Sequence, residues 1–208
     1  MEIEKESNRK KSSLTYKVEN IVVNVNLNPK SSLKFNLDLE KLSKKIINAE
    51  YEKKRFAGML IRFLNPKCVA RIFKNGKMIL IGLKFFNDIE IIINRIINEI
   101  KVKSKINIDI KSVKSEIVNI VTTAELDAKI DLDMAAIKLE NIIFEPEIFP
   151  ALIYKSITPV KCVFLVFNNG KIVLAGIKEE DSIEPALVHF GQLLKTNQLF
   201  LRDKNKSS

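Results

Sequence analysis

The sequence predicts an α+β fold built from two copies of one subdomain, each running strand, helix, several antiparallel strands, helix. Three observations carry this. Residues 69–84 (VARIFKNGKMILIGLK) return at 163–178 (VFLVFNNGKIVLAGIK) with 8 of 16 positions identical. In both copies an Asn-Gly pair, Asn75-Gly76 and Asn169-Gly170, divides two apolar runs rich in β-branched residues. Asn-Gly is the strongest short hairpin signal, because both turn residues must tolerate φ > 0. Isoleucines at 89, 92, 93, 96 and 100 fall on one helical face.

The copies extend beyond the hairpins. FAGMLIRFLNP (56–66) answers FPALIYKSITP (149–159) at an offset of 93 residues, one less than the hairpin offset of 94. The second copy therefore carries one extra residue just after Pro159. Further back, VENIV (18–22) answers IVNIV (117–121) at an offset of 99. The first copy is thus six residues longer before its first phenylalanine, an excess expected in NPKSSLKFN (28–36). A period this long marks a duplicated subdomain and not a solenoid. Helices are expected at 37–49, with Asp38 near the start, and at 89–100, 132–143 and 183–194. Pro185 fits a first turn, where its missing N–H costs little. The expected organisation is a disordered basic tail over 1–15, one repeat over 16–104, a second over 105–202, and a short tail over 203–208.

Composition closes several routes. The 208 residues are 46% apolar, enough for a core. No run reaches the ~18 apolar residues of a membrane span, so no membrane partner is expected. The charged N-terminus has no apolar segment of a secretory signal. Two cysteines cannot build a disulfide framework, which suggests a reducing compartment. With one histidine, His189, they cannot supply an ordinary four-ligand zinc site either. No phosphate-binding glycine loop or nucleophile elbow is present. Asp131 and Asp133 fall at an expected helix start, where acids suit the macrodipole, and His189 sits on an amphipathic helix. The expectation is a protein that is not an enzyme and needs no cofactor or metal. The net charge of +10 is uneven. Residues 1–104 hold 22 Lys/Arg against 11 Asp/Glu, and residues 105–208 hold 13 against 14. A basic half beside a near-neutral one points to a polyanion on one side.

The blocks NAEYEKKRFAGMLIRFLNPKCVARIFKNGKMILIGLK and FEPEIFPALIYKSITPVKCVFLVFNNGKIVLAGIK together resemble the two direct repeats of the TATA-binding protein family, over about residues 16–202. The resemblance implies a pseudosymmetric saddle: a curved, ten-stranded antiparallel sheet with four helices on its convex face. It implies that the concave face lies in the minor groove of double-stranded A/T-rich promoter DNA.

Roles follow from it residue by residue. Phe56, Phe73, Phe149 and Phe167 align with the family's four wedging phenylalanines. A flat apolar side chain at each end of the site unstacks a base step, and the bent DNA then touches more protein. Asn20 and Asn119, each in an N-I-V strand start, align with amides that contact the central base pairs. Amide donors suit a groove where A·T and T·A both show acceptors. Val22, Val121, Ile79, Val173 and Leu165 would form an apolar floor between the wedges. Arg55, Arg62, Lys77 and Lys84, with Lys155, Lys171 and Lys178, match positions that line the phosphates. Glu145 and Glu147, in EPEIF, match the docking site for transcription factor IIB. Their counterpart in the first copy is Glu52-Lys53-Lys54, so the two ends differ electrostatically.

Some positions depart from the family. Ile81 and Ala175 stand where threonine donors to bases are expected, Lys155 replaces an arginine, and Arg71 occupies a floor position two residues before Phe73. The helix over 89–100 lacks most of the family's basic residues, so contacts there with transcription factor IIA are in doubt. Cys68 and Cys162, at equivalent strand positions, read as small buried hydrophobes. The function implied is a general transcription initiation factor of the nucleus. It would bind and bend A/T-rich promoter DNA and recruit transcription factor IIB, RNA polymerase and polymerase-associated factors. Two alternatives are a related factor with altered DNA preference and a saddle-fold interaction scaffold with weak DNA binding. Exposed apolar wedges speak against the scaffold. A duplication filling the chain speaks against a saddle-like half attached to an enzyme.

Overall fold

A computed structural model describes residues 15–28 and 35–201. The tails expected at 1–15 and 203–208 lie outside these residues, Thr15 excepted. The described residues form a ten-stranded antiparallel sheet and four α-helices. The first repeat contributes β1 (Tyr16–Asn26), α1 (Leu39–Ser43), β2 (Ala49–Glu50), β3 (Met59–Leu64), β4 (Lys67–Ile72), β5 (Lys77–Leu83) and α2 (Asn87–Ser104). The second contributes β6 (Lys114–Glu125), α3 (Leu132–Lys138), β7 (Ile142–Ile143), β8 (Leu152–Ser156), β9 (Cys162–Val166), β10 (Lys171–Ile177) and α4 (Ile183–Thr196). Strand order is β2-β3-β4-β5-β1 in one half and β6-β10-β9-β8-β7 in the other. The chain divides into two compact units, Glu19–Ile120 and one holding residues from Val121 onward with those before Glu19.

Each unit buries alternate strand positions. In the Glu19–Ile120 unit, Met59, Ile61, Ala70, Ile72, Met78 and Leu80 are buried, as is the α2 stripe from Ile89 to Ile100. Isoleucine is a mediocre helix former, costing up to ~0.7 kcal/mol against alanine. Burying one is worth about 1.5–3 kcal/mol, so packing and not propensity holds α2. In the other unit α4 lies on the sheet through aromatic stacking. Phe190 is 4.3 Å from Phe164 and 5.4 Å from Tyr154, ring centre to ring centre.

Three local expectations are corrected. The helix expected over 37–49 is one short helix. Asp38 caps it by accepting from Lys41 N–H at 3.1 Å. Asn48 then turns left-handed (φ 60°) so that Ala49 can pair with Ile61. The helix expected over 132–143 likewise stops at Lys138. Asp131 caps its start, Asn141 turns left-handed (φ 58°), and Ile142 and Ile143 pair with β8 as an edge strand. Edge pairing overrides the helical spacing at both places. The hairpins are also not two-residue turns, since only the glycines have positive φ, 81° at Gly76 and 93° at Gly170. Gly76 N–H donates to Phe73 O, and Phe73 N–H donates to Lys77 O. That is a three-residue loop closing on a glycine bulge. Asn75 and Asn169 instead accept from Lys77 and Lys171 N–H, both at 3.1 Å.

Matched hydrogen bonds locate the length difference between the repeats. Leu27 N–H donates to Gly76 O and Leu126 N–H to Gly170 O, an offset of 99 at the donors. Leu37 N–H donates to Lys74 O and Ile130 N–H to Asn168 O, an offset of 93. The six extra residues fall between Leu27 and Leu37, a stretch of which 29–34 lie outside the described residues.

Candidate nucleic-acid interface

A half-buried antiparallel sheet usually turns polar residues to water on its open face. Here that face is mostly aliphatic. Register aligns Arg62, Val69, Ile81 and Val22 across β3, β4, β5 and β1. The next row is Leu60, Arg71, Ile79 and Asn24. In the other unit Lys155, Val163 and Ala175 form one row, and Ile153, Leu165 and Val173 the next. All the aliphatic members are partly exposed, and most of them lie between strand neighbours that are buried, the exceptions being Ile81, Ile153 and Ala175. Val22, Val121, Ile79, Val173 and Leu165 therefore lie on open sheet surface. Leu60, Val69, Ile153 and Val163 complete it. Sequence reasoning missed these four, although strand alternation carried the signal.

At the edge of each face stand two phenylalanines. Phe56 and Phe73 meet edge to face at 5.8 Å and 62°. Phe149 and Phe167 do so at 6.3 Å and 70°. Phe56 is 37% exposed and Phe149 39%. Both follow the same turn. Glu52 O accepts from the N–H groups of Arg55 and Phe56, and Glu145 O from those of Ile148 and Phe149. The turns carry opposite chemistry: Lys53, Lys54 and Arg55 in one, Pro146, Glu147 and Ile148 in the other, with Glu145 and Glu147 exposed.

Gly58 explains the tighter first pair. A Cβ there would lie 2.8 Å from the Phe56 ring and 3.2 Å from the Phe73 ring. The matching residue in the second repeat is Ala151, which is buried. Gly58→Ala should leave the fold intact and open the first pair toward 6.3 Å, because the exposed Phe56 ring can move. A crystal structure of the variant checks this, and an unchanged 5.8 Å separation refutes it.

Asn20 is held by a bulge. The β1–β5 register slips between Ile21 and Val22, so that Gly82 is skipped. Gly82 has φ +98°, open to glycine at little cost. Its N–H leaves the ladder and donates to Asn20 Oδ1 at 2.8 Å. Since Gly82 N–H can only donate, the amide oxygen is assigned, and the side chain offers its N–H donors to a ligand. Gly176 repeats the positive φ at +91°, and Asn119 lies partly exposed on β6.

The seven expected phosphate contacts, Arg55, Arg62, Lys77, Lys84, Lys155, Lys171 and Lys178, are all exposed. Two already meet carboxylates, Arg62 with Glu50 at 3.5 Å and Lys84 with Glu19 at 2.7 Å. Surface pairs of this kind are worth about 0–1 kcal/mol, so a phosphate can replace either carboxylate. Beside Phe73, a depression of about 910 Å³ is lined by Asn24, Asn26, Ala57, Lys77, Ile79 and residues 114–116 among others. Among the described residues no group of His, Cys, Asp and Glu could hold a metal ion, and no helix is long and apolar enough to cross a membrane.

Cys68 and Cys162 are buried and free. Burial, reinforced by the Asp88 carboxylate, pushes the Cys68 thiol up to about 11, and burial raises Cys162. The unfolded thiol ionises near 9. The unfolded chain can lose this proton before the folded one, so the stabilisation is complete below that pH and is lost as pH rises through the folded value. The denaturation midpoint should fall across this window, and fall less steeply in Cys68→Ala. Equal slopes would refute it.

The family model described as transcription factor TFIID, or TATA-binding protein, matches residues 15–102 and 114–197. The chain belongs to the TATA-binding protein family. It is 35% identical over 191 residues to the TATA-box-binding protein of Pyrobaculum islandicum, covering 91% of each chain. It is 38% identical to that of Sulfurisphaera tokodaii, over 82% of this chain and 81% of the relative. The solved structure of Methanococcus jannaschii TBP matches with a TM-score of 0.74 at 36% identity, over 88% of this chain and 98% of that one. Family membership makes the chain a transcription factor and not an enzyme.

Proposed function

We propose that the chain is a general transcription initiation factor that binds A/T-rich promoter DNA in the minor groove, bends it, and recruits transcription factor IIB and RNA polymerase. One observation supports this above the rest: each unit has an uncovered apolar sheet face beside an edge-to-face phenylalanine pair. Such a face needs an apolar partner, and the sugar walls and base edges of an opened minor groove supply one. The wedges unstack a step at a cost of a few kcal/mol, a figure already attached to this family and not obtained from this chain. The exposed cations take the phosphates, which set affinity and not sequence. Asn20 and Asn119 donate to groove acceptors. Glu145 and Glu147, turned away from a phosphate role by their charge, receive transcription factor IIB. Residues 16–104 and 105–202 are the inherited repeat units. The setting is the compartment that holds the DNA, a nucleus where the cell has one. Selection from a random duplex pool tests the reading. A/T-rich enrichment with bending is expected, and no enrichment overturns it.

Ile81 and Ala175 favour a related factor with altered preference. The G amino group meeting an apolar surface still excludes G·C, but the bond from a hydroxyl donor is lost. The wild type should therefore rank individual A/T sequences loosely. Ile81→Thr with Ala175→Thr should sharpen that ranking without changing the salt dependence, since phosphate contacts are untouched. A sharp wild-type consensus in the same selection contradicts this.

A further inference from the structure

Arg71 breaks the likeness of the two faces. It sits in the row Leu60, Arg71, Ile79, where the second repeat has Ile153, Leu165, Val173. Its side chain is exposed. Its guanidinium carbon lies 5.6 Å from the centre of the Phe56 ring. No carboxylate among the described residues pairs with it. A cation between Leu60 and Ile79, beside a wedge, is held only by an exposed cation–π contact. That contact is worth about 0.5–1 kcal/mol, so little opposes its transfer to a stronger anionic site.

Resting on the minor-groove reading above, we propose that Arg71 is a specificity-determining residue. It senses the groove's negative potential under the first repeat only, as the protein meets the duplex and before the wedges open the groove, making the two half-sites chemically unequal. A narrow A-tract groove concentrates negative potential and draws in arginine without any base-specific bond. The second repeat, with Leu165, has no such reader at the matching position. Preference for an A-tract is therefore expected from one half of the site alone. Phe56 carries the guanidinium on its ring and aims it at the step next to the wedge.

The test uses the full chain and three duplexes of equal length and A/T content: no A-tract, an A-tract in one half, and an A-tract in both. Affinity is measured from 50 to 200 mM salt, with bending followed on the same complexes. For wild type, one A-tract should strengthen binding and a second should add nothing. Arg71→Leu should lose that gain and lower the log–log salt slope by about 1, with bending retained. Arg71→Lys should restore the slope. Leu165→Arg, with Arg71 in place, should gain from each A-tract in turn. Equal A-tract gain and salt slope in wild type and Arg71→Leu, with bending intact, overturns the role of Arg71 and leaves the functional reading standing. A wild type that binds none of the three duplexes overturns both.

Discussion

Replacing Phe149 and Phe167 together by alanine is expected to abolish DNA bending and to weaken binding by several kcal/mol. The magnitude comes from the proposed wedging role of the rings. Without an insert at that end, the base step restacks, the duplex straightens, and the apolar face loses contact with the groove. The loss is thus larger than the area of two side chains. The fold should survive, because Phe149 is 39% exposed and Phe167 partly so, outside the core built around Phe164 and Phe190. Circular-permutation mobility reads the bend, and a thermal melt confirms that the variant is folded. A folded variant with an unchanged bend and affinity would remove the wedge assignment.

Glu145→Arg with Glu147→Arg should sharply reduce recruitment of transcription factor IIB while leaving binary DNA binding equal or slightly tighter. Both carboxylates are exposed, and the turn is held by the Glu145 backbone carbonyl, which the substitution keeps. The new charges resemble the Lys53-Lys54-Arg55 turn of the first repeat. Rim charges govern partner choice and encounter more than fold, so the two measurements should separate. A gel shift with and without transcription factor IIB measures both, and parallel losses would contradict the docking assignment.

Much of this architecture was legible in the chain because duplication states each signal twice. The repeated N-G-K blocks located the hairpins, and the isoleucine period located α2 within a few residues. What escaped was set by partners distant in sequence. Helical spacing runs through Ile46 and Ile143, yet both short helices end early because Ala49 and Ile142 are claimed by strands about a dozen residues on. Asn75 looked like the first residue of a two-residue turn, but its side chain closes a longer loop. The roles of Gly58 and Gly82 depend on a ring and an amide that only the fold brings to them. The open face was legible only in part, since knowing that Leu60 and Val69 share a face with Ile79 requires the register.

The two buried thiols have a practical consequence. They are the only cysteines in the 208 residues, and near neutral pH both are protonated and shut away from solvent. A maleimide dye or spin label offered to the native protein has nothing to attack. One cysteine introduced on the surface becomes the sole reactive handle. The natural sequence is thus a background-free frame for fluorescence and electron-resonance rulers, with no need to remove native sulfur and disturb the sheet.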